Sequence, residues 1–333
     1  MAGGKKPMAG HDIVIKKYME DKERFSDLMN GSLFHGKQIV KEEHLKQIKG
    51  ESSIHLMDKN EKRKSVIRYR DVVMKTDYVI FAIENQMNIH YAMPIRTMLY
   101  DALSYADQVE KIRKEHKRKG DKLSDDEFLS GMKKEDIIYP VITVVVYYGE
   151  KEWDASLDLY GMMEIGRKGL ITEELKEALP NYKINLIHAG NIENPEKYKS
   201  SLQLVFGMLK YKADKTELMK YLGEHKKELS NIDRETYDVM GILLHMEKKL
   251  NDYRRKKGEK RDMCEAIKEM IEDGKMEGKM EGKNEGLIIG RIEATIEMCQ
   301  EFQVSKEDTV TRIVEKFSIE EEEAKKFMEE YWK

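Results

Sequence analysis

The sequence predicts an α/β fold, on three observations. Two apolar runs rich in β-branched and aromatic residues, Tyr78–Ile83 and Ile137–Tyr148, have the composition and length of buried strands. Between them, Asn88 to about Lys119 has the length of a single long helix, and a buried strand that follows a helix suggests a βαβ crossover. Beyond Glu196 the apolar residues recur at helical spacing as far as Leu250, so a strand-rich first half precedes a helical second half.

Taken in order, residues 12 to 31 predict a helix. Ile13, Tyr18, Phe25, Leu28 and Met29 supply its apolar stripe, and Gly31 is its expected stop. Val40–Asn60 is polar and reads as short strands with loops. Arg68–Met74 is a strand with Asp71 embedded in it, and the Tyr78–Ile83 strand ends in Glu84-Asn85-Gln86. The long helix tolerates Pro94 because Pro near a helix start forfeits no intrahelical bond. Met98, Leu99, Ala102, Leu103, Tyr105 and Ala106 are its expected buried side. Ser124 with Glu127 three residues on predicts a capping box for a short helix to Met132. Gly149 closes the Ile137–Tyr148 strand, and Tyr182–Ala189 is a third buried strand.

From Gly274 to Gly290 a glycine recurs every fourth residue. A helix would set these glycines on one slowly drifting face, open to close approach by another helix. Each helical Gly also costs about 1 kcal/mol against Ala, so a flexible charged linker stays an equal alternative. Two further helices are expected after it, capped by Ser305 with Asp308 and by Ser318 with Glu321. The second begins with four consecutive Glu, which would repel phosphates, so this pair is rejected as a helix-turn-helix reader. These features divide the chain into residues 1–253, a basic and Gly-repeat segment 254–291, and a small helical unit 292–333.

At 333 residues the chain can hold one large core and an appendage. With 37% charged residues its surface is heavily charged, yet the net charge of −3 gives no global pull toward nucleic acid. Any such site must be a local patch. Gln108–Lys122 holds seven Lys/Arg against three acids, and Lys248–Arg261 eight against two; the ordinary reading of both runs is a solvated helix face. Cys264 and Cys299 cannot build a disulfide framework, and no His/Cys group has zinc-finger spacing. The N-terminus has no apolar segment after its lysines, and no run is long enough to span a bilayer, so a cytoplasmic protein is expected.

Asp71 and Glu84 are the candidates for chemistry; by themselves Asp71 also reads as a surface strand residue in an ion pair, and Glu84-Asn85-Gln86 as a polar strand end entering a turn. A carboxylate on a buried strand is costly unless paired, and a divalent cation is the usual reason to keep two there. Asp71 precedes Glu84 by thirteen residues, and Glu84-Asn85-Gln86 reads Glu-x-Gln. With the flanking blocks Phe25–Phe34, Tyr91–Leu103 and Pro140–Gly149 and the Gly repeat, this order resembles the Rpn family of recombination-promoting nucleases, also described as transposases, within the PD-(D/E)XK superfamily.

The resemblance implies a restriction-endonuclease-like core, a mixed central sheet flanked by helices, with a helical C-terminal extension. It implies a metal-dependent DNA endonuclease that promotes recombination. Asp71 and Glu84 would hold Mg²⁺, or Mn²⁺ in its place, with the Asn85 carbonyl as a neutral ligand and Asp27 in support. Gln86 stands where the wider superfamily places Lys; it can hydrogen-bond a water but carries no charge. Arg96 and Tyr100, four apart on the long helix, could supply the missing cation and a phosphate donor. Arg96 could equally pair with Glu84 or Asp101. Lys114, Lys117, Arg118 and Lys119, roughly 27 Å further along that helix, are expected to touch phosphates remote from the cut. Self-association is expected through the C-terminal segment. A nuclease-like binding or assembly module with little catalysis is the alternative.

Overall fold

The computed structural model describes residues 9–57, 63–256 and 261–333. The N-terminal lysines, the end of the Val40–Asn60 segment and Lys257 of the basic run fall outside those residues. The chain divides into two compact units, Met1–Met263 and Cys264–Lys333.

The first unit is built on β1 (Lys46–Gln47), β2 (Glu51–Met57), β3 (Arg63–Tyr69), β4 (Val72–Lys75), β5 (Ile80–Gln86), β6 (Val141–Tyr147) and β7 (Asn185–His188). Five of these form one sheet in the order β1-β4-β5-β6-β7, while β2 and β3 pair separately as an antiparallel hairpin. β1 and β4 run antiparallel to their neighbours, whereas β5, β6 and β7 are mutually parallel. The sheet is therefore mixed, as expected, and β5 lies at its centre. Ile80, Phe81, Ala82 and Ile83 are all buried there, which explains their continuous apolar run.

Both long strands start later than their apolar runs. The Thr76 hydroxyl accepts from the backbone N–H groups of Tyr78 and Val79, so those two residues belong to a turn and Tyr78 is exposed. Ile137 and Ile138 are exposed as well. Pro140 gives its carbonyl to the Ile80 N–H at 2.9 Å but has no N–H of its own, and β6 starts at the next residue. Glu84 is not at a strand end. It pairs with Val145 in mid-strand, and β5 continues to Gln86.

The expected N-terminal helix is two, α1 (Ala9–Met19) and α2 (Lys22–Leu33). Asp21 caps the second by accepting the Arg24 N–H at 3.0 Å. Gly31 does not stop it. It is buried within α2, where an added Cβ would lie 2.5 Å from the Tyr198 ring, so the glycine serves close packing. α3 (Met93–Lys119) is the crossover between β5 and β6, with Pro94 in its first turn and Gly120 ending it at φ 69°. Its buried side is Met93, Pro94, Thr97, Tyr100, Asp101 and Leu103. Leu99, Ala102 and Ala106 are exposed, a correction to the apolar-stripe reading. The face turned to the sheet carries polar groups whose hydrogen bonds are satisfied inside.

α4 (Asp125–Ser130) has the Ser124/Glu127 capping box. Three short helices, α5 (Leu159–Met162), α6 (Glu164–Arg167) and α7 (Glu173–Ala178), fill a stretch whose periodicity predicted nothing. The helical second half is α8 (Leu202–Tyr211), α9 (Lys215–Glu224), α10 (Lys226–Leu229), α11 (Arg234–Leu243) and α12 (Glu247–Lys256). No helix among the described residues is long and apolar enough to cross a membrane.

The second unit contains α13 (Met263–Glu301), α14 (Lys306–Phe317) and α15 (Glu321–Tyr331). The Gly-repeat segment is thus helical. Nothing lies within 4 Å of a Cβ built on Gly274, Gly278, Gly282, Gly286 or Gly290. Ile292 and Ile296 at the far end of α13 bury against Ile313, Ala324 and Met328. Ser305 caps α14 as expected. Ser318 instead ends α14 in the left-handed conformation, φ 54°, and Glu320 stands at the N-cap of α15 with no side-chain cap bond. Cys264 and Cys299 are both buried.

Candidate active site

The sheet register brings the two acids together. β4 pairs with β5 through Val72–Ile83 and Val73–Ala82, and one step beyond Val72 stands Asp71, opposite Glu84. Residues directly opposite in an antiparallel pair point to the same face. Two carboxyls therefore share one face, and this is the costly arrangement for charges of one sign. Glu84 is 0% exposed. Its pKa is pushed up to about 8, first by burial and then by the Asp71 charge. Burial also raises that of Asp71, against the opposing effect of the Asn85 N–H, which donates to Asp71 Oδ2 at 2.7 Å.

Glu84 meets a cation weakly. Arg96 Nη2 lies 3.5 Å from Glu84 Oε2, at the outer limit of a hydrogen bond, while Glu84 Oε1 is buried with no hydrogen-bond partner among the described residues. Gln86, two residues on, lies on the same face of β5 and is half-exposed. The Asn85 side chain lies on the opposite face, where Tyr148 donates its hydroxyl to Asn85 Oδ1 at 3.1 Å.

Behind the pair lies a buried network that sequence reasoning missed. Arg70 donates to Asp101 Oδ1 at 2.5 Å and to Thr143 Oγ1 at 3.0 Å. Thr143 donates to the same Asp101 oxygen, and Tyr182 donates to Asp101 Oδ2, each at 2.5 Å. Tyr100, 7% exposed, has the Arg70 guanidinium 5.7 Å and the Arg96 guanidinium 5.5 Å from its ring centroid. Tyr100 is therefore packed between two arginines rather than presented to solvent. The available signals were small: Thr143 interrupting an apolar run, and Arg70 beside the acid. This network fixes Arg70, and through it the backbone that sets Asp71 opposite Glu84.

The other sequence-predicted residues lie apart from the pair. Asp27 is buried in α2, and its Oδ2 accepts from the backbone N–H groups of Lys199 and Ser200, both at 2.8 Å, and from the Ser200 hydroxyl at 2.6 Å. It anchors the segment entering α8. Lys114, Lys117, Arg118 and Lys119 are exposed on the last turns of α3. Lys114 pairs with Glu110 at 3.5 Å and Lys119 with Glu115 at 2.7 Å on that same helix.

Among the described residues no three His, Cys, Asp or Glu side chains gather as a metal cluster. The donor set at this site is two carboxylates, with an orphaned buried oxygen on Glu84. That set fits Mg²⁺, a hard cation that takes one or two carboxylates and keeps several waters.

Residues 9–239 match the family model described as "Putative transposase, YhgA-like". No curated protein and no solved structure matches the chain. The matched segment covers more than two thirds of the sequence, and the chain belongs to this family, the Rpn/YhgA group of PD-(D/E)XK-type transposases.

Proposed function

We propose that this member of the YhgA-like transposase family is a metal-dependent DNA endonuclease that promotes recombination in the cytoplasm. The observation that carries the reading is half-buried Asp71 opposite buried Glu84, which has one long ion pair, to Arg96, and one oxygen with no hydrogen-bond partner among the described residues. A structural ion pair would leave no such deficit, whereas a divalent cation would remove it.

Asp71 and Glu84 would hold the cation. Mg²⁺ or Mn²⁺ there supplies Lewis-acid charge and a bound water of lowered pKa. The chain's own groups do the rest. Burial of Glu84 excludes bulk water from one side of the pair. Gln86, on the same face, accepts a hydrogen bond from the attacking water and orients it. Arg96, held by Glu84 only at 3.5 Å, would donate to a non-bridging phosphate oxygen when the acid pair holds its cation. The water oxygen bonds to phosphorus, the P–O ester bond breaks, and a proton passes to the leaving alkoxide.

The test is nicking of supercoiled plasmid with Mg²⁺. Asp71→Ala should reduce it by at least a hundredfold, and undiminished cleavage by that variant would refute the assignment. The second reading, a binding and assembly module with little catalysis, rests on Gln86, which carries no charge, and on the absence of a third acidic ligand among the described residues. Calorimetric titration with Mn²⁺ separates the two: metal binding lost in Glu84→Ala favours the enzyme. We also propose that the C-terminal unit mediates self-association, through the open glycine-bearing stretch of α13.

A further inference from the structure

The connection from α3 to β6, residues 121–138, is held to the molecule by little apolar packing. Gly131 is its one buried residue, and Phe128 and Leu129 of α4 are 79% and 90% exposed. A segment with so few buried contacts opens locally at small cost unless polar groups tie it down. At its C-terminal end the tie is uncharged. Gln108 of α3 donates from Nε2 to the Tyr139 carbonyl at 3.1 Å and accepts the Tyr139 N–H at 2.7 Å. Along the segment itself the tie to α3 is His116.

His116 stands in the last turn of α3, its side chain 11% exposed. Its Nδ1 lies 2.6 Å from Asp121 Oδ2 and its Nε2 lies 2.7 Å from Asp136 Oδ2, so one ring joins α3 to both ends of the segment. An ionised carboxylate only accepts hydrogen bonds, so both ring nitrogens must donate and the ring is the imidazolium. A neutral imidazole keeps one N–H and would turn a lone pair toward one of the two carboxylates. Asp121 first, and then Asp136, raise the ring's pKa above its ordinary value, against burial and the Lys133 charge. Lys133 is the third charged group of the cluster. Its Nζ lies 3.1 Å from Asp121 Oδ2 and its backbone N–H donates to Asp136 Oδ2 at 2.6 Å, so it serves both carboxylates from within the segment. The neighbouring charges are engaged elsewhere. Glu115 pairs with Lys119 at 2.7 Å, Arg113 with Glu110 at 3.6 Å, and Glu127 of α4 accepts the Ser124 N–H at 2.8 Å.

We propose that His116 is a pH-operated clasp: its doubly protonated ring holds residues 121–138 against the end of α3, and loss of one ring proton releases them. Below the ordinary histidine value near 6.5 the ring is protonated whether the segment is docked or not, and the clasp is fully closed. As pH rises through the raised value of the docked form, the ring loses a proton and one of its two contacts with it. Lys133 remains as a donor to both carboxylates, so opening leaves neither acid without a partner. The Gln108 tie carries no ionisable group, so β6 stays in place and the opening is confined to the connection. The device lies at the opposite end of α3 from Arg96 and is independent of any chemistry at Asp71 and Glu84.

The test is hydrogen exchange of the full chain, read by mass spectrometry on peptides within residues 121–138. Wild type and His116→Gln are compared at equal pH, so the intrinsic pH dependence of exchange cancels. Gln keeps a neutral donor but cannot carry the charge. At about pH 5.5 the variant's peptides should exchange at least tenfold faster than those of wild type, and the ratio should fall toward one by about pH 9. Peptides from β5 and β6 should exchange alike in the two proteins. A ratio of one at the lower pH, or the same raised ratio at both, would overturn the clasp. Should the β5 and β6 peptides quicken as well, the ring itself decides. NMR titration of His116 in wild type should show a midpoint above the ordinary histidine value, and Asp136→Asn should lower it. A wild-type midpoint at or below that value would overturn the proposal.

Discussion

Glu84 is a carboxyl buried opposite another carboxyl, and its protonation couples stability to function. Its folded pKa, about 8, lies above the ordinary value near 4.3 that it takes in the unfolded chain. Below both values the proton is bound in both states. Between them the unfolded state ionises while the folded state keeps the proton, so metal-free stability falls as pH rises from about 5 to about 8, then levels off. Glu84→Gln should remove that slope. Its unfolding free energy, from urea titration, should match wild type near pH 5 and exceed it at pH 8.5, by an amount of order 1–3 kcal/mol for relieving an unsatisfied buried group. Equal slopes in the two proteins would show that another group titrates. The same variant should lose metal-dependent nicking, since a site kept at the expense of stability is what a catalytic pair requires. At this scale the sequence showed the acids and their spacing. It did not show that Arg96 reaches Glu84 at only 3.5 Å or that Arg70 is locked to Asp101, because those contacts span 12 and 31 residues.

Elements were legible where one local signal dominated, and misread where two competed. The Ser124/Glu127 box and the Ser305 cap formed as expected, because a cap is satisfied within four residues. Ser318 carries the same kind of signal but was taken by the preceding helix. There it holds φ 54° and its N–H bonds the Val314 carbonyl at 2.9 Å. A non-glycine residue in that conformation costs roughly 1 kcal/mol, so Ser318→Gly should stabilise the C-terminal unit by about that much. The measurement is hydrogen exchange of amides in α14 and α15, expected to slow about fivefold; exchange that quickens would show that the serine side chain is needed there. On α3 the misreading had the opposite origin. Leu99, Ala102 and Ala106 looked like a buried stripe, yet the face turned to the sheet is the one carrying Asp101 and Thr97. Thr97 gives its hydroxyl to the Met93 carbonyl at 2.8 Å, and Asp101 receives three donors, so burying them leaves no unmet hydrogen bond.

At the scale of the whole molecule the division after Met263 makes one direct expectation. A chain ending at Met263 retains the entire mixed sheet and both acids, so it should fold and bind Mn²⁺ with unchanged stoichiometry by calorimetry. If the C-terminal unit carries self-association, that chain should also sediment as a smaller assembly than the full chain predicts after allowing for the lost mass. Retention of the full-length oligomeric state would place the contact in the first unit instead.

The sequence by itself determined the α/β class, the crossover from β5 through α3 to β6, the family, and the pair of acids thirteen residues apart. Each is encoded locally, in a run of one composition or a fixed spacing, and local signals survive without knowledge of partners. Only the tertiary structure decided what surrounds the pair. The β4–β5 register put Asp71 opposite Glu84, and long-range donors sent Asp27 to the backbone at Lys199 and Ser200. Those outcomes depend on which residues face each other across strands and between helices. A one-residue slip in register would reverse every side chain, and nothing within a single strand specifies that choice.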